Sequence, residues 1–289
     1  MAVCVTRRSH SRVRRAASWL SAITLLLSLL AAPALADPVP SLWDPALHLD
    51  KPNLSELKAI RFLTADDYPP LDFALADGAL AGFNVEIARA LCEELRLPCT
   101  IQARRWDTLV EALETAKGDA MIASMRTSPD LRSRLDFTAP YYLTPARFAA
   151  RKDVKDLEID PLSIAGKTVG VVKGGAHEAY LATFFPKVKA KSYDDFAALH
   201  KALKQGDVDF VFADGVTLAV WLGGEDAGDC CAFRGGPFLE SKFFGDGVSI
   251  VVRKDDSALR HALDWALARI WAKGQYAEIF RKYFPISFY

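Results

Sequence analysis

Two hydrophobic rhythms alternate along this chain. AIRFLTA (59–65) is a short, almost continuous apolar run bounded by the breaker DDYPP (66–70), the pattern of a buried strand closed by a turn. Past Gly82-Phe83-Asn84 the spacing changes, and Ile87, Ala88, Leu91, Cys92 and Leu95 form one helical stripe with Asn84 placed as an N-cap. The most informative feature is an echo. WDTLVEALETAKGDAMIAS (106–124) and YDDFAALHKALKQGDVDFVFAD (193–214) share one order: aromatic-Asp, amphipathic helix, Gly, Asp, buried strand, polar residue. Gly118 and Gly206 are read as helix C-caps in the left-handed backbone that glycine adopts cheaply. Counted from Asp119 and Asp209, the two strands deliver Ser124 and Asp214 at the same offset. Another strand, KTVGVV (167–172), leads through Lys173-Gly174-Gly175 into the helix HEAYLATFF (177–185). The chain closes with two helices, SALRHALDWALARIWAKG (257–274), with Ser257 as cap and Gly274 as stop, and QYAEIFRKYF (275–284).

Strands that alternate with helices throughout predict an α/β fold, and two αβ sets of similar design predict two lobes with a cleft between them. In open α/β sheets ligands bind beyond the carboxyl ends of strands, so Ser124 and Asp214 are site candidates. The Gly174-Gly175 pair at a helix N-terminus presents backbone N–H groups that suit a carboxylate or phosphate, although an ordinary tight turn has the same residues.

The first 36 residues change the electrostatic picture. Arg7, Arg8, Arg12, Arg14 and Arg15 precede an apolar run from Trp19 to Leu30, and Ala34-Leu35-Ala36 stands before Asp37, as in a cleaved export signal. The apolar core is short for a membrane span of roughly 20 residues. No cysteine follows the site to carry a lipid anchor, and the mature chain is expected to be soluble outside the cytoplasm. Removal of residues 1–36 leaves 31 basic against 36 acidic side chains, a net charge of −5, which argues against nucleic acid as a partner. A Pro-rich stretch, 37–57, follows with little pattern.

Four cysteines remain after cleavage: Cys92, Cys99, Cys230 and Cys231. In an oxidising compartment an even number invites pairing. Cys92 near a helix end and Cys99 at the start of the next strand are the favoured pair; Cys230 and Cys231 are adjacent, and their state is left open. A metal site is the rival reading, but no histidine sits at ligand spacing from these thiols. Neither a nucleophile elbow nor a phosphate-binding loop occurs, and His177-Glu178 is not completed to a zinc-protease motif. No cofactor is expected.

RTSPDLRSRLDFTAPYY (126–142) sets Arg126, Arg132 and Arg134 among small hydroxyl residues. Together with TADDYPP, LAGFNVEIARAL, WDTLVEAL, GDAMIAS, GKTVGVVKGG, GDVDFVFAD and FGDGVSIVVRKDDSALRHALDWAL, all in this order over residues 59–284, it resembles the family 3 extracellular solute-binding proteins, the periplasmic receptors of polar amino acid ABC importers. The resemblance implies a two-lobed, type II periplasmic binding protein fold, with two open sheets flanked by helices and a hinge of two crossover strands. It places residues 58–142 and 244–289 in one lobe and 143–243 in the other, and it implies a monomer that passes an amino acid-like solute to a membrane permease. It strengthens the Cys92–Cys99 pairing. By the same resemblance Tyr68 covers the ligand, Trp106 faces it, Ser124 contacts its polar groups, Gly175 and Ala176 offer backbone donors to a carboxylate, and Asp214 binds an α-amino group. The pattern departs at 126–132, where Leu131 stands in place of the carboxylate-clamping arginine. Three accounts stay open: a local shift brings Arg132 to the clamp, Arg126 serves from the other side, or the ligand has no amino acid carboxylate. Ala65 stands where receptors of cationic side chains carry an acid. A dehydratase is known on this fold, and an enzyme or a sensory module remains the alternative to a transport receptor.

Overall fold

The computed structural model describes residues 1–2, 39, 42, 49–154 and 157–289. The expected signal peptide 1–36 and much of the 37–57 stretch lie outside the described residues. All the secondary structure described belongs to one compact unit, Val39–Tyr289.

The sequence rhythm becomes two sheets of the same design. In the first, β1 (Ile60–Thr64) leads through a small three-stranded sheet, β2 (Asp67–Tyr68), β3 (Asp72–Ala74) and β4 (Leu80–Ala81), into the helix Phe83–Leu95. That helix returns the chain to β5 (Cys99–Ala103), parallel to β1. The helix Leu109–Glu114 then delivers β6 (Ala120–Met121) on the other side of β1, again parallel. β7 (Leu135–Tyr142) is the far edge of this sheet. The chain then crosses to β8 (Ala146–Arg151) in the second sheet, where β9 (Thr168–Val172), the helix Ala176–Phe184 and β10 (Lys189–Tyr193) repeat the arrangement. The helix Phe196–Gln205 brings β11 (Phe210–Asp214) parallel to β9, and β12 (Cys231–Phe238) pairs with β8. Finally β13 (Val248–Arg253) returns to the first sheet between β6 and β7, antiparallel to both. The strand orders are β5-β1-β6-β13-β7 and β10-β9-β11-β8-β12, so each sheet has three parallel strands extended by a pair that includes an antiparallel neighbour.

The repeat extends to single side chains. Asp119 accepts from the Arg61 backbone N–H at 2.9 Å, and Asp209 accepts from that of Thr168 at 2.8 Å. Each aspartate ties the start of one parallel strand to the start of its neighbour. Parallel strands buried on both faces need apolar residues throughout, and Ile60, Phe62 and Leu63 in β1 and Phe210, Val211 and Phe212 in β11 are all but inaccessible to water. The C-terminal helices Ser257–Ala272 and Gln275–Tyr283 pack Leu259, Leu263, Leu267, Tyr276 and Phe280 onto the first sheet's core.

Three sequence expectations change. Asn84 does not cap its helix: Gly82 holds that position, and Asn84 is the buried second residue of the helix, bonded through its side chain. Asp256 rather than Ser257 caps the C-terminal helix, its Oδ1 accepting from the Leu259 N–H at 3.3 Å. Gly118 is not a left-handed cap, because the helix already ends at Glu114; the glycine is needed for space, since a Cβ there would lie 2.4 Å from Leu63 Cγ. Gly206 does cap its helix, with φ of 80°. Cys92 and Cys99 are joined by a disulfide with their Cα atoms 6.1 Å apart. Cys230 and Cys231, left open by the sequence, are joined to each other.

Candidate functional site

The carboxyl ends of the parallel strands of both sheets converge on a cavity of about 260 Å³. Its first wall follows β1 and β6 and carries Tyr68, Ser124 and Arg126. The opposite wall follows β9 and β11 and carries His177, Asp214 and Thr217.

Asp214 is placed twice over. It ends β11 and caps the helix Gly215–Gly223, its Oδ1 accepting from the Thr217 backbone N–H at 2.9 Å and from the Thr217 hydroxyl at 3.1 Å. A Cβ on Gly215 would meet the Pro145 carbonyl oxygen at 2.8 Å, so only glycine lets the helix start this close to the crossing chain. Oδ2, the free oxygen, lies 3.6 Å from a guanidinium nitrogen of Arg126. Arg126 reaches it from the first wall, where its backbone forms a bridge with Val248 at the start of β13. The arginine side chain is half exposed and the aspartate is largely buried, so this long contact contributes little to stability on its own.

Ser124 has φ of 60°, a left-handed backbone that a non-glycine residue adopts only where its surroundings enforce it. What enforces it is a buried polar network under the cavity floor. The Asn84 amide donates to Ser124 Oγ at 2.9 Å and to an oxygen of Asp72, while its own oxygen accepts from the Tyr141 hydroxyl at 2.6 Å. Asp72 is wholly buried, and burial first of all raises its pKa to about 6, with the Asn84 bond opposing and Asp67 and Asp66 adding to the rise. On the facing wall burial pushes the His177 imidazole down to about 4; Asp214 acts in the opposite direction and Arg126 in the same one. His177 therefore stands neutral at neutral pH, its ring 5.2 Å from that of Phe244 and 5.6 Å from that of Phe212.

Of the residues singled out in the sequence, Tyr68, Ser124, Arg126 and Asp214 line this cavity. Trp106 begins a short 3-10 turn, Trp106–Thr108, and is 48% exposed away from the lining. Arg132 lies in the helix Pro129–Arg134 with its guanidinium carbon 5.5 Å from the Phe137 ring centre, outside the lining. Gly175 and Ala176 open the helix Ala176–Phe184 without lining the cavity, and the neighbouring Gly174 N–H is taken up by Glu178 Oε2 at 2.7 Å. His177, the next residue along, is the one that faces the cavity. Sequence reasoning passed over it because it was tested only as part of a metal motif, although its place one residue into a helix after a buried strand was a usable signal. Thr217 had a signal too, three residues after an aspartate that caps a helix. Asn84 and Asp72 had none, since their meeting depends on the turn between β1 and the first helix. Among the described residues no group of three histidine, cysteine or acidic side chains could hold a metal ion.

Two sheets of matched order whose strand ends enclose a small cavity define the type II binding-protein architecture, in which a solute is held between two lobes. This chain belongs to the bacterial extracellular solute-binding proteins, family 3, whose family profile matches residues 60–286. It is 37% identical over 243 residues to the L-arginine-binding protein of Pseudomonas aeruginosa, covering 83% of this chain and 93% of that relative. The histidine-binding periplasmic protein of Salmonella typhimurium is 30% identical over 232 residues, covering 80% of this chain and 89% of its own. In fold it is similar to the L-cystine solute receptor of Neisseria gonorrhoeae in its unliganded open conformation, with a TM-score of 0.70 at 18% identity over 78% of this chain and 92% of that one. The chain is accordingly a solute-binding receptor and not an enzyme.

Proposed function

We propose that this receptor works in the periplasm, released there by cleavage after residue 36, and captures an α-amino acid for a membrane ABC permease. The lobes are residues 58–142 with 244–289, and 143–243; they act as a monomer and close around the solute by bending at the two connections between the sheets. The relatives named for arginine and histidine support an amino acid as the solute. The observation that carries the reading is the meeting of Arg126 and Asp214 across the cavity, 3.6 Å apart. An amino acid zwitterion inserts between them, its ammonium on Asp214 Oδ2 and its carboxylate on the planar guanidinium, which suits a bidentate carboxylate. Each charge is then paired when closure removes water, as a buried charge requires. Because the ligand touches both walls it favours the closed state, the form that a permease can distinguish from the empty one.

The test separates the charge of Asp214 from its capping role. Asparagine caps helices as well as aspartate does, so Asp214→Asn keeps the helix start and removes only the anion. In a thermal-shift screen of amino acids, amines and organic acids followed by calorimetry, wild type is stabilised by an amino acid, and Asp214→Asn binds it at least about tenfold more weakly, a change of about 1.4 kcal/mol. Unchanged affinity in a folded Asp214→Asn variant removes the α-amino assignment.

A further inference from the structure

The charge inventory of the cavity narrows the solute class. We infer that this receptor selects amino acids whose side chain carries no positive charge, because among the described residues the charged groups that line the cavity are Arg126 and Asp214, and both are consumed by the ligand's own carboxylate and ammonium. The inference rests on the receptor reading above. With those two groups engaged, what remains for the side chain is neutral: apolar Leu71, Phe196, Val216 and Val248, hydroxyl-bearing Tyr68, Ser124, Tyr142 and Thr217, and the uncharged imidazole of His177. Thr144 adds a buried hydroxyl whose oxygen has no hydrogen-bond partner, a place for a neutral polar group.

A cationic side chain would enter with no second carboxylate to meet it and with the Arg126 guanidinium in the same space. Asp72 does not line the cavity; it is wholly buried, with one oxygen held by the same Asn84 amide that bonds Ser124. Asp66 and Asp67 are exposed to solvent and do not line the cavity. Transfer of an ammonium or guanidinium from water into a closing cleft without a partner is expensive, while an alkyl or aromatic group gains from the same transfer. The relative named for arginine makes this a point where the present chain parts from it.

L-Norleucine has a straight four-carbon side chain, L-lysine adds a terminal ammonium to the same four carbons, and L-ornithine matches norleucine in length with the ammonium in place of its methyl group, so the three together separate charge from size. Calorimetry on the mature chain at neutral pH is expected to show norleucine binding at least about tenfold more tightly than lysine. A carboxylate added to the side-chain wall reverses the order: Phe196 is the first residue of its helix, where an acid is tolerated, and Phe196→Glu is expected to bind lysine more tightly than norleucine. If wild type binds lysine, ornithine or arginine more tightly than any neutral amino acid, the inference falls and the receptor reading stands. If no amino acid of either class binds, both fall. A folded Phe196→Glu variant whose lysine affinity equals that of wild type also overturns the inference, because charge then does not set the choice.

Discussion

Asp72 is buried and His177 half-buried on opposite sides of the cavity, and desolvation drives their titrations in opposite directions. For Asp72 the folded state prefers the neutral acid, with a pKa of about 6 against an ordinary 3.8. The stabilisation it contributes is complete below about pH 3.8 and is lost as the pH rises through about 6. Asp72→Asn cannot ionise, so in urea unfolding it should gain on wild type above about pH 6, by up to about 3 kcal/mol, and the two should converge near pH 4. A difference that does not change with pH would show that Asp72 keeps an ordinary pKa. For His177 the folded pKa is depressed from 6.5 to about 4, so its contribution is present above 6.5 and is lost as the pH falls through about 4. His177→Gln should accordingly soften the loss of stability between about pH 6.5 and 4, measured by the same unfolding curves. Neither effect was legible in the sequence, because both come from desolvation by chain segments distant in number. Ser124 and Asp214, by contrast, were readable from the strand repeat alone, since position at a strand's carboxyl end depends only on local pattern.

Gly118 and Gly206 occupy equivalent places in the two αβ repeats, and the sequence reads them alike. Their environments differ. Gly206 has φ of 80°, and an added Cβ would meet the flexible end of Arg151 at 2.7 Å. Gly118 has no left-handed backbone, and its Cβ would strike Leu63 in three places, the nearest 2.4 Å away, inside the fully buried core of β1. Alanine at 206 should therefore cost about 1 kcal/mol, the conformational penalty of a left-handed residue. Alanine at 118 should cost more, about 1–3 kcal/mol, because a close-packed core must shift to admit a methyl group. Thermal unfolding of the two single variants checks the order, and equal losses would contradict the packing argument. The same comparison shows where legibility ends at this scale. Helix and strand order, the parallel sheets and the paired halves follow from periodicity. Whether a given glycine answers a backbone angle or a neighbour's side chain depends on which elements pack together, and only the fold supplies that. Gly82 makes the point again: with φ of 126° and a Cβ position 2.3 Å from the Leu71 carbonyl oxygen, it starts a helix that the sequence assigned to Asn84.

Across the whole molecule the two sheets meet where residues 143–145 leave β7 and enter β8, and the C-terminal tail holds that junction. The Tyr289 hydroxyl accepts from the Leu143 N–H at 2.8 Å and donates to the Leu143 carbonyl oxygen at 3.0 Å, so one phenol satisfies both backbone groups of a crossing residue. Phe288 beside it is fully buried in the first sheet's core, and it is also the side chain that a Cβ on Gly215 would touch at 3.4 Å, on the helix that Asp214 caps. The tail thus contacts the first sheet's core, the crossing chain and the start of the helix behind the cavity. This clasp holds the crossing residue through its backbone from a position outside the cavity lining. Tyr289→Phe leaves the ring in place and removes both hydrogen bonds, each worth about 1 kcal/mol, with a larger loss if the freed Leu143 groups stay out of water. Hydrogen exchange should report the change locally: the Leu143 amide exchanges faster in Tyr289→Phe, while the amides of β1, paired on both sides by β5 and β6, keep their wild-type protection. If Leu143 keeps its protection in the variant, the tail is a packing element only and the crossing is held by the strands themselves.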